Sequence, residues 1–246
     1  MVNLLAGIVV SLFLSLGLAT PVAHADEGQV DVLLVLATDV SRSVDDREFK
    51  LQREGFAAAL SDPRVLNVIT SGPSGRIAVA FVEWASEFEQ RVVVDWFLVA
   101  GEKDAKTLAQ RILAAPRSYW GRTSISSAIE FSKNLLDRSP FQSDRKVIDI
   151  SGDGTNNSGA DVTAARDEAV ASGITINGLV ILSDEPLPTN PTHTHPPGGL
   201  KAYYERHVIG GPDAFVVEAQ GFESFGQSII QKLIKEIAAL IGPART

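Results

Sequence analysis

Residues 36–46 read Leu-Ala-Thr-Asp-Val-Ser-Arg-Ser-Val-Asp-Asp, so an apolar run closes on Asp39, Ser41 and Ser43 at alternate positions, and a helix-like segment follows. Two other stretches share this character. "GRTSISSAI" carries Thr123 at the entrance to a helix, and "ISGDG" carries Asp153 directly after a short apolar run. Together they offer two carboxylates and three hydroxyls from three loops. In an open α/β sheet, ligands collect at the carboxyl ends of the strands, where such loops meet. Magnesium suits this set: it is a hard ion that keeps much of its water and is held by one or two carboxylates rather than a full protein cage. Ser41 and Ser43 would ligate directly, while Asp39 and Asp153 would hold bound waters. An ion whose charge is only matched by two acids stays electrophilic at an open position, and that favours a carboxylate offered from outside.

The elements that must position these groups follow from hydrophobic periodicity. Val30 to Thr38 is nearly all apolar, as a central parallel strand covered on both faces should be. Val44 to Leu60 carries Phe49, Phe56 and Leu60 on a helical stripe. Arg76 to Trp84 and Gln90 to Leu98 are strand-like and close enough in sequence to force an antiparallel hairpin. Helices are predicted for Lys103 to Ala114 and Ser126 to Leu136, then a strand from Lys146 to Ile150, a helix from Ala160 to Ala171 and a strand from Ile174 to Leu182. Residues 183–199 contain five prolines and read as irregular, and so long a loop tends to be functional or mobile. A short helix at Ala202 to His207, a strand at Ala214 to Ala219 and a helix from Phe222 to Ile241 complete the chain. The last helix aligns Ile230, Leu233, Ile234, Ile237 and Ile241, while Lys232, Lys235 and Glu236 rule out a membrane span. The predicted fold is α/β, a three-layer, doubly wound, mostly parallel sheet with one antiparallel edge strand.

The 246 residues, 45% hydrophobic and 21% charged, are enough for one large domain with a full core. Residues 3–20 are apolar and uncharged, and the small residues at Ala23 and Ala25 read as a secretory signal cleaved after Ala25. That leaves one domain over residues 26–246, periplasmic or secreted. An uncleaved anchor is the competing reading, because the run approaches the length that spans a bilayer and no Lys or Arg precedes it. The absence of cysteine excludes a disulfide framework. A formal net charge of −8 argues against a nucleic-acid partner, which needs a basic face.

Asp-x-Ser-x-Ser, the Thr of "GRTS" and the Asp of "GDG", in this order, resemble the metal-ion-dependent adhesion site of the von Willebrand factor A superfamily, over roughly Val30 to Ile241. "FVEWAS" and "YYERHVIGGPDAF" are similar to a bacterial family of exported proteins of this kind whose function is unassigned. The resemblance implies direct ligation by Ser41, Ser43 and Thr123 and water-mediated ligation by Asp39 and Asp153. The ion would be Mg²⁺, or Mn²⁺ or Ca²⁺, and it would bind an Asp or Glu carboxylate of a protein partner. Superfamily members usually have Thr before the last Asp, where this chain has Gly152.

Plainer explanations exist for each residue. Ser43 with Asp46 fits a helix N-cap with an acidic third position, Thr123 or Ser124 would cap the next helix, and Asp153-Gly154 is a common turn pair. Capping alone has no need of Asp39 at the end of a buried strand. Residues 153–161 imitate a calcium loop but carry Ser158 where such loops have glycine and Ala164 where they have an acid. His193-x-His195 has no third ligand nearby in sequence and reads as exposed loop. Asp149, inside a strand, would face a loop or pair with Arg145. As function classes, a non-enzymatic binding module leads. A metal-dependent phosphohydrolase or other hydrolase, and an envelope protein that does not use its metal site, are the alternatives. Ser41 stands where aspartyl phosphatases generally place a second Asp, and no Gly-x-Ser-x-Gly elbow is present.

Overall fold

The computed structural model describes residues 28–238; the proposed signal segment lies outside them. Its elements run β1 (Leu33–Asp39), α1 (Asp46–Leu60), α2 (Pro63–Thr70), β2 (Ile77–Trp84), β3 (Gln90–Val99), α3 (Glu102–Ala114), α4 (Ile125–Asp137), β4 (Lys146–Gly152), α5 (Val162–Ala171), β5 (Ile174–Leu182), α6 (Pro191–Thr194), α7 (Leu200–His207), β6 (Val216–Gln220) and α8 (Phe225–Ala238). The sheet order is β3-β2-β1-β4-β5-β6. Every neighbouring pair is parallel except β2 with β3, the hairpin anticipated from its short connection. The winding reverses between β1 and β4, and at that crevice the carboxyl ends of two adjacent central strands are free to hold a ligand.

Alternate residues of each strand point to opposite faces, and the two faces build two cores. Leu34, Leu36, Val79 and Phe81 pack on one side with α1, α2, α3 and α8; Leu33, Val35, Ala80 and Ile148 pack on the other with α4, α5 and α7. All seven residues of β1 are buried, which explains its uninterrupted apolar sequence. Phe56 of α1 ties one core together, edge-on to Phe81 at 5.0 Å and to Phe225 of α8 at 5.1 Å between ring centres.

Three local features differ from the sequence reading. Helix α1 starts two residues later than expected, because Asp45, not Ser43, is its N-cap: Asp45 accepts from the Glu48 N–H and Glu48 returns the bond to the Asp45 N–H, a full capping box. A helix not anticipated, α2, follows Asp62 as N-cap with Pro63 in the first turn. Asp149 neither faces a loop nor pairs with Arg145. It is buried under α8, 2.7 Å from the Lys232 ammonium, and Lys232 also pairs with Glu236 one turn on. Asn177 donates to that same Glu236 carboxylate at 2.9 Å.

Candidate metal centre

The three oxygen-bearing loops meet at the β1–β4 crevice. Ser43 Oγ donates to Asp153 Oδ1 at 2.8 Å, Ser41 Oγ and Ser43 Oγ lie 3.1 Å apart, and Thr123 Oγ1 donates to Ser41 Oγ at 3.2 Å. Asp39 Oδ1 accepts from the Ser41 N–H at 2.7 Å. All five residues anticipated from the sequence thus touch one another, across up to 110 positions of chain. The helix caps explain why their hydroxyls are free. Asp45 caps α1, which releases Ser43, and Ser124 caps α4 by accepting from Ser127, which releases Thr123.

Two buried acids dominate the electrostatics of the crevice. Asp39 Oδ2 is buried with no hydrogen-bond partner. Burial pushes the Asp39 carboxyl well above the usual carboxylate range, and the neighbouring Asp153 raises it further. Asp153 is raised to about 6, again chiefly by burial, against the lowering effect of its Ser43 hydrogen bond. Two buried carboxylates that disfavour each other's charge, one with an unused oxygen, surrounded by hydroxyl lone pairs, fit a hard divalent cation. Among the described residues no three His, Cys, Asp or Glu side chains come together, so hydroxyl oxygens would have to complete the coordination of any ion held here.

Residues that sequence reasoning missed hold the loops in place. The Arg117 guanidinium is nearly buried, and its Nη2 donates to the carbonyls of Val40, Ser41 and Val44 at 2.8, 2.9 and 2.8 Å, so one side chain sets the curvature of the Asp39–Ser43 loop. Asn157 sutures the other two loops: its Oδ1 accepts from the Thr123 N–H at 3.0 Å and its own N–H donates to the Thr123 carbonyl at 2.9 Å. Asn156 Oδ1 likewise accepts from the Ser126 N–H at 3.1 Å, so the two asparagines spend their side-chain oxygens on the Thr123 loop and the first turn of α4.

His193 is the largest departure from expectation. Instead of standing exposed, it is 2% exposed and enters the site, while His195 stays at the surface. A single helical turn, α6, begins at Pro191 and aims the imidazole inward. His193 Nε2 lies 3.2 Å from Thr123 Oγ1, and Nδ1 lies 3.2 Å from Asn157 Nδ2. Since Asn157 Oδ1 is committed to the Thr123 N–H, its Nδ2 is the donor to Nδ1, and the ring proton therefore sits on Nε2, facing Thr123. Burial lowers the imidazole pKa and so favours the neutral ring. Only a glycine at 154 leaves room for it, since a Cβ there would stand 2.1 Å from His193 Nε2.

Gly152, the departure from the superfamily pattern, also has a structural reason. A Cβ at 152 would lie 2.9 Å from the Tyr204 hydroxyl and 3.1 Å from Asp39 Oδ2. Tyr204 comes from α7, is fully buried and has no hydrogen-bond partner for its hydroxyl. Burial and then the nearby Asp39 and Asp153 raise its pKa well above the usual phenol value.

Comparison with known proteins agrees with this architecture. Proximal thread matrix protein 1 from the mussel byssus superposes with a TM-score of 0.57 at 15% identity, over 88% of this chain and 49% of its own. The pilus adhesin SpaC from Lactobacillus rhamnosus GG gives 0.58 at 13% identity, over 85% and 30%. BatB from Bacteroides thetaiotaomicron gives 0.53 at 16%, over 85% and 99%. A von Willebrand factor type A protein from Catenulispora acidiphila gives 0.53 at 15%. The chain spans about half or less of the first two, and at these identities the likeness establishes the von Willebrand factor A fold alone. No curated protein matches in sequence. A model of the family described as "protein of unknown function (DUF1194)" matches residues 29–241, and the chain belongs to that family.

Proposed function

We propose that the protein is a non-enzymatic, metal-ion-dependent protein-binding module of the bacterial envelope. Asp39, Ser41, Ser43, Thr123 and Asp153 hold a divalent cation, Mg²⁺ in the first instance and Mn²⁺ or Ca²⁺ as substitutes, and an Asp or Glu of a protein partner completes its coordination. The observation that carries the reading is the buried, unpartnered Asp39 Oδ2 beside Asp153, linked to three hydroxyls, two of them freed from capping duty. Such an ion supplies charge compensation and one electrophilic position for an incoming carboxylate. Two structures of the same fold support it: one is a mussel thread protein with a zinc-occupied adhesion-site motif, the other a pilus adhesin.

A hydrolase is less well supported. The hydroxyls of Ser41 and Ser43 bond to each other, to Thr123 and to Asp153, and none bonds to an imidazole. Thr123 does meet His193, but the ring presents its protonated nitrogen there, the wrong tautomer for a general base. Export fits the apolar leader, and no helix among the described residues is long and apolar enough to cross a membrane.

Titration calorimetry with Mg²⁺ and Mn²⁺ tests the proposal. Wild type is expected to bind one ion, and Asp39→Ala none. Ser41→Ala should bind more weakly and keep its metal-free melting temperature. Absence of binding to wild type, or equal binding to Asp39→Ala, refutes the site.

A further inference from the structure

The mouth of the site is split in two by the strap of residues 183–195. Leu187 and Ser43 line both halves. On one side lies a cleft of about 360 Å³ whose wall carries Glu48, Asp153, Asp184 and Glu185 and no basic group. On the other lies a cleft of about 230 Å³ walled by Arg42, Arg122, Thr123, Asn157 and His193, with no acidic group. Both arginines are exposed and neither makes an ion pair among the described residues; Arg122 reaches only Asn157 Oδ1, at 3.4 Å. Their loops are joined, the Arg42 N–H donating to the Gly121 carbonyl at 3.0 Å, so the two guanidinium groups rise from one platform.

The rim of this basic cleft is also where apolar surface accumulates. Three large apolar side chains are exposed among the described residues, and two of them stand on segments tied to the Arg122 backbone. Trp120 is 58% exposed, two residues before Arg122 and under the Arg117 guanidinium at 4.8 Å. Phe88 is 88% exposed at the tip of the β2–β3 hairpin, whose Ser86 Oγ accepts from the Arg122 N–H at 2.6 Å. Exposed Trp and Arg around a concave centre are the residues that dominate binding energy at protein interfaces.

We propose that the partner docks from this side. It is a protein segment with several acidic side chains next to an apolar one: one carboxylate passes between Arg42 and Arg122 towards Ser43 and Thr123, and the apolar side chain rests on Trp120 and Phe88. Like charges on the other side of Leu187 turn an acidic segment away, and so would the −8 charge of the chain as a whole if the basic cleft were not there. The inference rests on the metal-site reading and adds to it a direction of approach, two specificity-determining arginines and a partner composition.

The test uses the chain without residues 1–25, Mn²⁺ and an acetylated, amidated hexapeptide, Glu-Leu-Asp-Glu-Leu-Gly. Mn²⁺ affinity is read by electron paramagnetic resonance, and peptide affinity by tryptophan fluorescence. Arg42→Glu with Arg122→Glu is expected to weaken the peptide at least tenfold without weakening Mn²⁺ binding. Asp184→Asn with Glu185→Gln should leave the peptide unchanged or tighten it, and Trp120→Ala should weaken it in a calorimetric assay. The docking inference is overturned if wild type does not bind the peptide at millimolar concentration, or if only the Asp184 and Glu185 variants alter binding. Displacement of the peptide by inorganic phosphate, with the same dependence on the arginines, would reassign the cleft to phosphoryl groups and also overturn it. Failure of wild type to bind Mn²⁺ would instead bring down the metal reading; a peptide still sensitive to the arginine reversal would then leave the docking face standing.

Discussion

Asp39 has one carboxylate oxygen tied to a backbone N–H and the other buried without a partner, next to a second acid. A buried charge without a partner costs several kcal/mol, a penalty that an ion bound as proposed would remove. Asp39→Asn is therefore expected to be at least as stable as wild type in chelator at neutral pH, measured by urea unfolding, and on the proposed reading to bind the ion poorly; a marked loss of stability would show that the carboxylate already has compensation. The Asp-x-Ser-x-Ser spacing was readable because it is local. Arg117 and His193 were not, because the partners that fix them lie from 36 to 77 residues away and one set of them is backbone carbonyls, which leave no mark in side-chain sequence. His193→Ala should free the strap, since the ring that meets Thr123, Thr155 and Asn157 is removed. Limited proteolysis within residues 183–190 is expected to speed up about tenfold, with the melting temperature of the core little changed; unchanged protection would mean that the strap is held by other contacts.

Among the elements, α8 departs furthest from its sequence reading. Its apolar stripe packs on the sheet as expected, but Lys232 and Glu236, which look like solvent-facing residues, are buried as well and meet Asp149 of β4. Amphipathic periodicity cannot foresee that a strand will carry an acid to receive them. Burial, and then Glu236, push the Asp149 carboxyl up to about 7 despite the lowering effect of Lys232. A folded-state value above the unfolded one means that the stabilising contribution is complete below about pH 4 and is lost as pH rises through 7. Denaturant stability should decline from pH 5 to pH 8 in wild type, and Asp149→Asn should flatten that decline by leaving a balanced Lys232–Glu236 pair. Lys232→Met leaves two buried acids and is expected to cost about 3–5 kcal/mol at neutral pH. Where strands and helices were flanked by turn residues, the sequence reading located them closely, β5 at Ile174–Leu182 among them. It passed over α2, whose Asp62-Pro63 start is a legible helix signal on a segment too short to show periodicity. The five prolines of residues 183–199 did exclude long regular structure, yet one of them starts the turn that seats His193.

For the molecule as a whole, the site lies at the winding reversal between β1 and β4, so an ion there would join the two halves of the sheet. Mg²⁺ at about 100 times its Kd should stabilise the fold by about 2.7 kcal/mol, a rise in melting temperature of about 5–10 °C for a domain of this size. No rise at saturating Mg²⁺, or the same rise in Asp39→Ala, would contradict the proposal. Gly152 and Tyr204 bring a different matter into view, that of transplantation. The phenol rises from α7 into the volume that a side chain at 152 would fill, so the floor of the site is supplied by an element remote from its three loops. A protein engineer grafting those loops onto another scaffold would have to carry the tyrosine with the glycine, because either one alone yields a hole or a collision.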